Sequence, residues 1–181
     1  MEVFNFRSQL WLDRPRDEVF PFFANALNLE EITPAWLRFR IVSKIPIQMY
    51  EGVEIEYRLR IRGIPIGWRS RITAWDPPHC FVDEQVRGPY RLWVHEHRFR
   101  EDSGGTLCED NVKYIPLAGA LVNKLFVERD IQKIFAYRSE QLRKIFGGPP
   151  RSILRTPRNN SANVARPPLP PFVHFVSKNR T

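Results

Sequence analysis

Two cysteines, Cys80 and Cys108, are all that 181 residues contain. That is too few for a disulfide framework or a cysteine-based zinc site, so a reducing, cytoplasmic setting is expected. No run approaches the ~18 apolar residues of a membrane span. The opening Met1-Glu2-Val3-Phe4-Asn5-Phe6-Arg7 lacks the basic-then-apolar order of a secretory signal, and stable membrane insertion is not expected. Neither a nucleophile elbow nor a phosphate-cradling loop occurs, which removes the commonest hydrolase and nucleotide-binding signatures. With 43% hydrophobic and 27% charged residues, collagen-like and wholly disordered classes are excluded as well. The length suits one domain with an appendage.

Acidic residues are missing altogether from 149–181, which holds six of the 28 basic residues. The remainder carries 22 basic against 20 acidic residues, so the net charge of +8 belongs to the tail and gives the body no electrostatic reason to bind nucleic acid. The tail also has 7 of the 16 prolines, including Pro167-Pro168-Leu169-Pro170-Pro171. Such a segment buries too little apolar surface to offset its ordering entropy and reads as flexible. A proline-rich ligand for a partner, a weak contact with an acidic membrane, and a loose terminus all remain open for it.

The body reads mostly as strands. Val53, Ile55, Tyr57, Leu59 and Ile61 alternate with charged residues, a period of two. Ile66, Trp68, Ser70, Ile72 and Ala74 continue the apolar parity beyond Gly63. Further strands are expected at 3–12, 39–45, 80–87, 91–101 and 106–115, joined by short Gly- and Pro-containing turns. A short helix is expected at 15–24 and others near 24–32. A long helix is expected at 121–146, where Leu121, Leu125, Ile131, Ile134, Phe135, Leu142 and Ile145 recur at three- and four-residue spacing. This order predicts an α+β fold: a curved antiparallel sheet of about seven strands whose concave face is covered by the one helix long enough to do so.

Register counting then identifies what that face carries. Opposing Arg62 to Pro65 sets Tyr57 beside Ser70 and Leu59 beside Trp68. Opposing Glu101 to Thr106 pairs Phe99 with Cys108, His97 with Asp110, His95 with Val112 and Trp93 with Tyr114. A turn at Gly88-Pro89-Tyr90 places Asp83 beside His95 and Gln85 beside Trp93. One face would thus hold Tyr57, Trp68, Phe81, Trp93, Phe99 and Tyr114 together with Ser70, Asp83, Gln85, His95, His97 and Asp110. A purely structural core seldom holds so many polar groups, whereas aromatic walls with a few convergent polar groups are how a small-molecule site is built.

The same residues also read as satisfied structural pairs, His97 with Asp110 and His95 with Asp83. Acid–base catalysis by a His–Asp couple is a third reading. His95-x-His97 with Asp110 opposite makes a two-His, one-carboxylate set, but the pattern is too short to outweigh chance, so neither metal nor cofactor is expected. Arg138 falls on the helix edge near this face, where a solvated or snorkelling arginine is the expected reading over a cavity group.

The element order resembles the START/Bet v1-like (SRPBCC, polyketide cyclase/dehydrase) superfamily with its helix-grip fold. So do the stretches 15–23 (PRDEVFPFF), 63–68 (GIPIGW), 81–85 (FVDEQ), 93–99 (WVHEHRF) and 115–119 (IPLAG). The resemblance covers about 1–147, which makes 1–148 the ligand-binding domain and leaves the basic Pro-rich tail at 149–181 without a counterpart. It implies a hydrophobic cavity between sheet and long helix that binds or transports a lipid, quinone or polyketide. A cyclase or dehydratase acting through a His–Asp couple is the alternative implied, and an interaction module recruited through the tail is a further one. No catalytic residue carries over. The ligand-binding candidates are Tyr57, Trp68, Ser70, Asp83, Gln85, Trp93, His95, His97, Phe99, Asp110 and Tyr114, with a mouth at 115–123 and 24–32.

Overall fold

Alternating apolar and charged side chains build one seven-stranded antiparallel sheet in the computed structural model, which describes residues 2–117 and 126–148. Strand β1 (Phe4–Leu12) leads into helix α1 (Arg16–Phe23) and two single 3-10 turns, Ala26–Leu29 and Ala35–Leu37. Strands β2 (Arg40–Ile41), β3 (Glu54–Ile61), β4 (Ile64–Asp76), β5 (Cys80–Arg87), β6 (Tyr90–Asp102) and β7 (Gly105–Pro116) follow, then helix α2 (Glu128–Phe146). The strand order is β1-β7-β6-β5-β4-β3-β2, so every neighbour is a hairpin partner except β1, which returns to pair with β7. The fold is the expected α+β helix-grip arrangement. The expectations for 149–181 and for 118–125, including the first turn of the predicted helix and most of the predicted 115–123 mouth, lie outside the described residues. Among the described residues, no helix is long and apolar enough to cross a membrane.

Turn chemistry fixes the registers. Arg62 and Gly63 both have positive φ, as do Ser103 and Gly104, which is what two-residue hairpin turns matched to the strand twist require. The second turn delivers the predicted β6–β7 pairing, with His97 opposite Asp110 and Trp93 opposite Tyr114. The first sets Ile61 opposite Ile64, so Tyr57 faces Trp68 and Ile55 faces Ser70. This corrects the expected register by two residues. Because the slip is even, every side chain keeps its face.

Three further expectations are corrected. The strand predicted at 39–45 pairs only at Arg40 and Ile41. Val42 and Ser43 then both donate to the Glu56 carbonyl, and the Ser43 hydroxyl accepts from the Glu56 amide, ending the ladder. A bulge at Thr73 reverses the parity of β4, so Trp75 rather than Ala74 sits opposite Phe81 and joins the core. Pairing of β5 with β6 stops at Glu84 and Val94, so Gln85 does not come to lie beside Trp93. Its amide instead closes the turn, donating to the Tyr90 carbonyl at 2.7 Å and accepting from the Tyr90 amide at 3.2 Å. Gly88 permits this, since a Cβ there would lie 2.3 Å from Gln85 Oε1.

α2 presents Ile131, Phe135 and Leu142 to the sheet, spaced by four and seven residues along one stripe. Its first turn is tied to the β3–β4 turn by Arg62, whose Nε and Nη2 donate to the two Asp130 carboxylate oxygens at 2.9 and 3.0 Å. Below its C-terminal half, Leu10, Leu12, Phe20, Phe81, Phe99, Cys108 and Leu142 form one buried cluster. Towards its N-terminal half, Ile131 and Phe135 pack on Val112, Tyr114 and Phe6 of β7 and β1, while over β3 to β6 the sheet and helix part.

Candidate functional site

Where they part lies a cavity of about 650 Å³, within the range of small-molecule sites. β3 and β4 contribute Tyr57, Leu59, Trp68 and Ser70, β5 contributes Asp83, and β6 contributes Trp93, His95 and His97. The roof is Ile131, Ile134, Phe135 and Arg138 of α2. One side wall comes from the 3-10 turns, with Leu29, Ile32, Trp36 and Leu37. The segment expected at the mouth, 24–32, thus contributes Asn25, Ala26, Asn28, Leu29 and Ile32 to the lining. Trp36, 59% exposed, meets Tyr137 edge to face across the rim.

Seven of the eleven predicted site residues therefore reach the cavity: Tyr57, Trp68, Ser70, Asp83, Trp93, His95 and His97. Four do not. Gln85 holds its turn. Phe99 is buried against Phe20 and Phe23 of α1, and Tyr114 against Phe4, Tyr90 and Trp93. Asp110 stands behind the histidines. Parity placed all four on the correct face, but parity says nothing about which part of a face a second layer covers.

The polar groups converge on a quartet. The His95 and His97 rings, two residues apart on β6, lie with centroids 3.7 Å from each other, and Phe81 stacks on the far side of His97 at 4.2 Å. Hydrogen bonds run diagonally instead of along the cross-strand pairs: His95 Nε2 with Asp110 Oδ1 at 2.9 Å, and His97 Nε2 with Asp83 Oδ2 at 3.1 Å. The remaining nitrogens face the opposite carboxylates. His95 Nδ1 is 3.6 Å from Asp83 Oδ2. His97 Nδ1 is 3.1 Å from Asp110 Oδ1 without the alignment of a hydrogen bond. Asp83 is held in turn by Ser70, which accepts from Trp68 Nε1 at 3.0 Å, shares a short bond with the Tyr57 hydroxyl, and donates to Asp83 Oδ1 at 3.4 Å.

Charge in this place is set by competition. Burial pushes the Asp83 carboxyl up, but the His97 hydrogen bond and the nearby imidazoles and Arg138 outweigh it and hold the group below its ordinary range. Burial acts likewise on Asp110, and the His95 hydrogen bond, with His97 and Arg138 close by, holds it well below. Burial and the neighbouring His97 depress His95 despite its carboxylates. Burial also opposes charge on His97, yet Asp110 and Asp83 at its two nitrogens raise it. Of two neighbouring imidazoles, one is pushed towards the charged form and the other away from it, as mutual repulsion demands. Burial, then the charge of Asp83, push the Tyr57 phenol up despite its Ser70 bond, so it stays protonated. Cys108 is likewise driven up by burial and is an inert thiol.

The expectation that Arg138 is a solvated or snorkelling arginine is corrected. Arg138 lines the cavity, with its guanidinium 5.6 Å from the Phe23 ring and 5.9 Å from that of Phe135, and its buried Nε has no hydrogen-bond partner among the described residues. With Asp83 and Asp110 ionised and His97 charged, Arg138 brings the group to neutrality, which is how buried charges are tolerated. Helical periodicity alone had no means of selecting it over the other basic residues of α2.

No family model matches the chain, and no curated protein matches it. Among solved structures it is similar to protein Ms6760 from Mycobacterium smegmatis, with TM-score 0.63 at 16% identity over 80% of this chain and 95% of that one. It is similar to the major latex-like protein 151 of Panax ginseng, with TM-score 0.61 at 13% identity over 80% and 97%. It is also similar to the Zhui aromatase/cyclase from Streptomyces sp. R1128, with TM-score 0.58 at 16% identity over 80% and 96%. At such identities the likeness establishes the fold, a START/Bet v1-like helix grip, and leaves chemistry to be argued from the site.

Proposed function

We propose that this chain binds a small, mainly apolar molecule between its sheet and α2, with the polar end of the guest directed at the His95–His97 quartet and Arg138. The observation that carries the reading is the cavity itself, lined mainly by aromatic and aliphatic side chains, with one polar group at the quartet and another at Arg62, Asp130 and Lys133. A guest carbonyl or hydroxyl at the quartet would meet the unpartnered Arg138 Nε and the Tyr57–Ser70 hydroxyl pair. Buried polar groups lacking partners cost roughly 1–3 kcal/mol each, and a ligand oxygen recovers part of that. Tyr57, Leu59, Trp68 and Trp93 act as walls in this reading, and the polar residues fix orientation. The fold shared with an aromatase/cyclase is consistent with such a guest.

Native mass spectrometry of the protein purified from its own cells tests the reading. The expected result is a stoichiometric small-molecule adduct that disappears in Leu59→Trp, a substitution that fills the cavity. A wild-type protein that carries no adduct, and whose tryptophan emission does not respond to apolar carbonyl compounds, would retire it.

One observation favours turnover as a second reading. The two adjoining imidazoles, 3.7 Å apart by centroid, are driven to opposite sides of the ordinary histidine value, the arrangement by which one fold supplies both an acid and a base. Exchange of the α-hydrogens of a bound ketone with solvent deuterium, lost in His95→Gln, is the expected signature. The same exchange rate in the variant would remove this reading.

A further inference from the structure

We infer that Asp83, His95 and His97 form a binding site for a divalent first-row transition-metal ion of the zinc type, with Asp110 as the carboxylate that orients both imidazoles from behind. Each of the three residues offers one ligand atom, and these atoms all lie within 4.8 Å of one another. Asp83 Oδ2 is 3.1 Å from His97 Nε2 and 3.6 Å from His95 Nδ1. Metal–ligand bonds of about 2.0–2.2 Å place neighbouring ligand atoms roughly 3–3.5 Å apart, so little more than side-chain adjustment is needed. Asp110 faces the other two nitrogens, His95 Nε2 at 2.9 Å and His97 Nδ1 at 3.1 Å. A carboxylate behind each ligating imidazole is the usual support of a metal-bound histidine, fixing its tautomer and orientation, and here one carboxylate serves both.

Two further observations point the same way. His97 Nδ1 is buried with no aligned hydrogen bond, so the pairing is incomplete as a purely structural device. Asp83 Oδ1 is occupied by Ser70, which leaves Oδ2 to ligate. Asp83, His95 and His97 line the cavity whereas Asp110 does not, so an ion would sit on the cavity side with a coordination position open to it. Imidazole ligands disfavour calcium and magnesium. Two carboxylates against Arg138 leave one net negative charge once both imidazoles are neutral. Binding therefore expels the His97 Nε2 proton to solvent, and Arg138 limits the affinity. The sequence pattern suggested a set with Asp110 as the third ligand; the strand geometry instead gives that position to Asp83.

The test uses the full chain, stripped with a chelator and titrated with Zn²⁺ or Co²⁺ alone, and is independent of any organic guest. One ion per chain is expected, with Asp83→Asn weakening binding at least a hundredfold, Asp110→Asn by about 10–100-fold, and His79→Ala having no effect. Histidine NMR of the unmutated chain gives a second readout: one equivalent of Zn²⁺ should shift His95 and His97 and leave His79 and His174 in place. A chain that takes up no ion at micromolar metal, shifts of His79 or His174 instead, or an Asp83→Asn variant that folds and binds as the wild type does would each overturn the inference.

Discussion

One face of the sheet is solid at one end and hollow at the other, although both ends are lined with aromatic rings. At the solid end Phe20 of α1 meets Phe99 at 5.3 Å and Phe81 at 6.4 Å, and Phe23 meets Phe99 at 4.8 Å. At the hollow end Trp68 meets Trp93 at 5.4 Å and Tyr57 at 6.0 Å, yet these rings border open space. Residue type does not separate the two ends; the layer laid over them does. α1 sets its rings directly onto β6, whereas α2 packs Ile131 and Phe135 towards β1 and β7 and, with the segment of the 3-10 turns, leaves a space over β3 to β6. The quartet occupies the seam, with His97 stacked on Phe81 of the solid end and His95 facing Trp93 and Phe135 of the hollow one.

Breaking the solid end should cost most. Phe99→Ala, at a side chain 2% exposed, should lose about 3–5 kcal/mol in urea unfolding; a loss below about 1 kcal/mol would mean that this end is not close-packed. At the seam, Asp110→Asn should cost about 1–3 kcal/mol, because the charged oxygen that faces both imidazoles becomes a neutral and weaker acceptor. At the hollow end, Trp93→Phe should cost less than about 1.5 kcal/mol, since the ring already borders a void, while weakening retention of any guest. Equal costs for Phe99→Ala and Trp93→Phe would erase the contrast.

Acidity sharpens the same contrast at the seam alone. The carboxyls of Asp83 and Asp110 and the imidazole of His95 all have folded values below their unfolded ones. Their contributions are present above the ordinary values of about 3.9 and 6.5 and are lost as pH falls through the depressed folded values. His97 is raised, so its contribution is complete below about 6.5 and is lost as pH rises through its folded value. Stability should therefore fall on acidification from neutrality, with a shallower loss on the alkaline side. Imidazole NMR should find His95 titrating below 6.5 and His97 above it; the reverse order would contradict the hydrogen bonding described.

Much of this was legible in the sequence, and for physical reasons. Strand parity and two-residue turns are local, so the whole β6–β7 register and the facing of both histidines followed from counting. The β3–β4 register missed by two because a turn of Arg62 and Gly63 demands positive φ at both, a property of their joint conformation that residue counting does not supply. The bulge at Thr73 that brings in Trp75 was hidden for the same reason. The split between core and cavity was not legible at all. Phe99 and Trp93 alternate identically along β6, and only the long-range placement of α1 over one of them distinguishes core from wall. The hydrogen-bond diagonals of the quartet, and the choice of Asp83 over Asp110 as the cavity-facing carboxylate, likewise depend on side-chain directions across three strands.

The division of labour around the hollow has an evolutionary corollary. Its reactive groups come from β4, β5 and β6, the rigid centre of the sheet, whereas α2 and the two 3-10 turns supply bulk and only Arg138 by way of charge to the quartet. Substitutions along Ile32, Leu37, Ile131 and Ile134 can thus enlarge or reshape the compartment without disturbing a single bond among Ser70, Asp83, His95, His97 and Asp110. Selectivity for the size of the occupant and chemistry toward its polar end are free to drift separately, and a library confined to those four aliphatic positions would be the economical route to a new occupant.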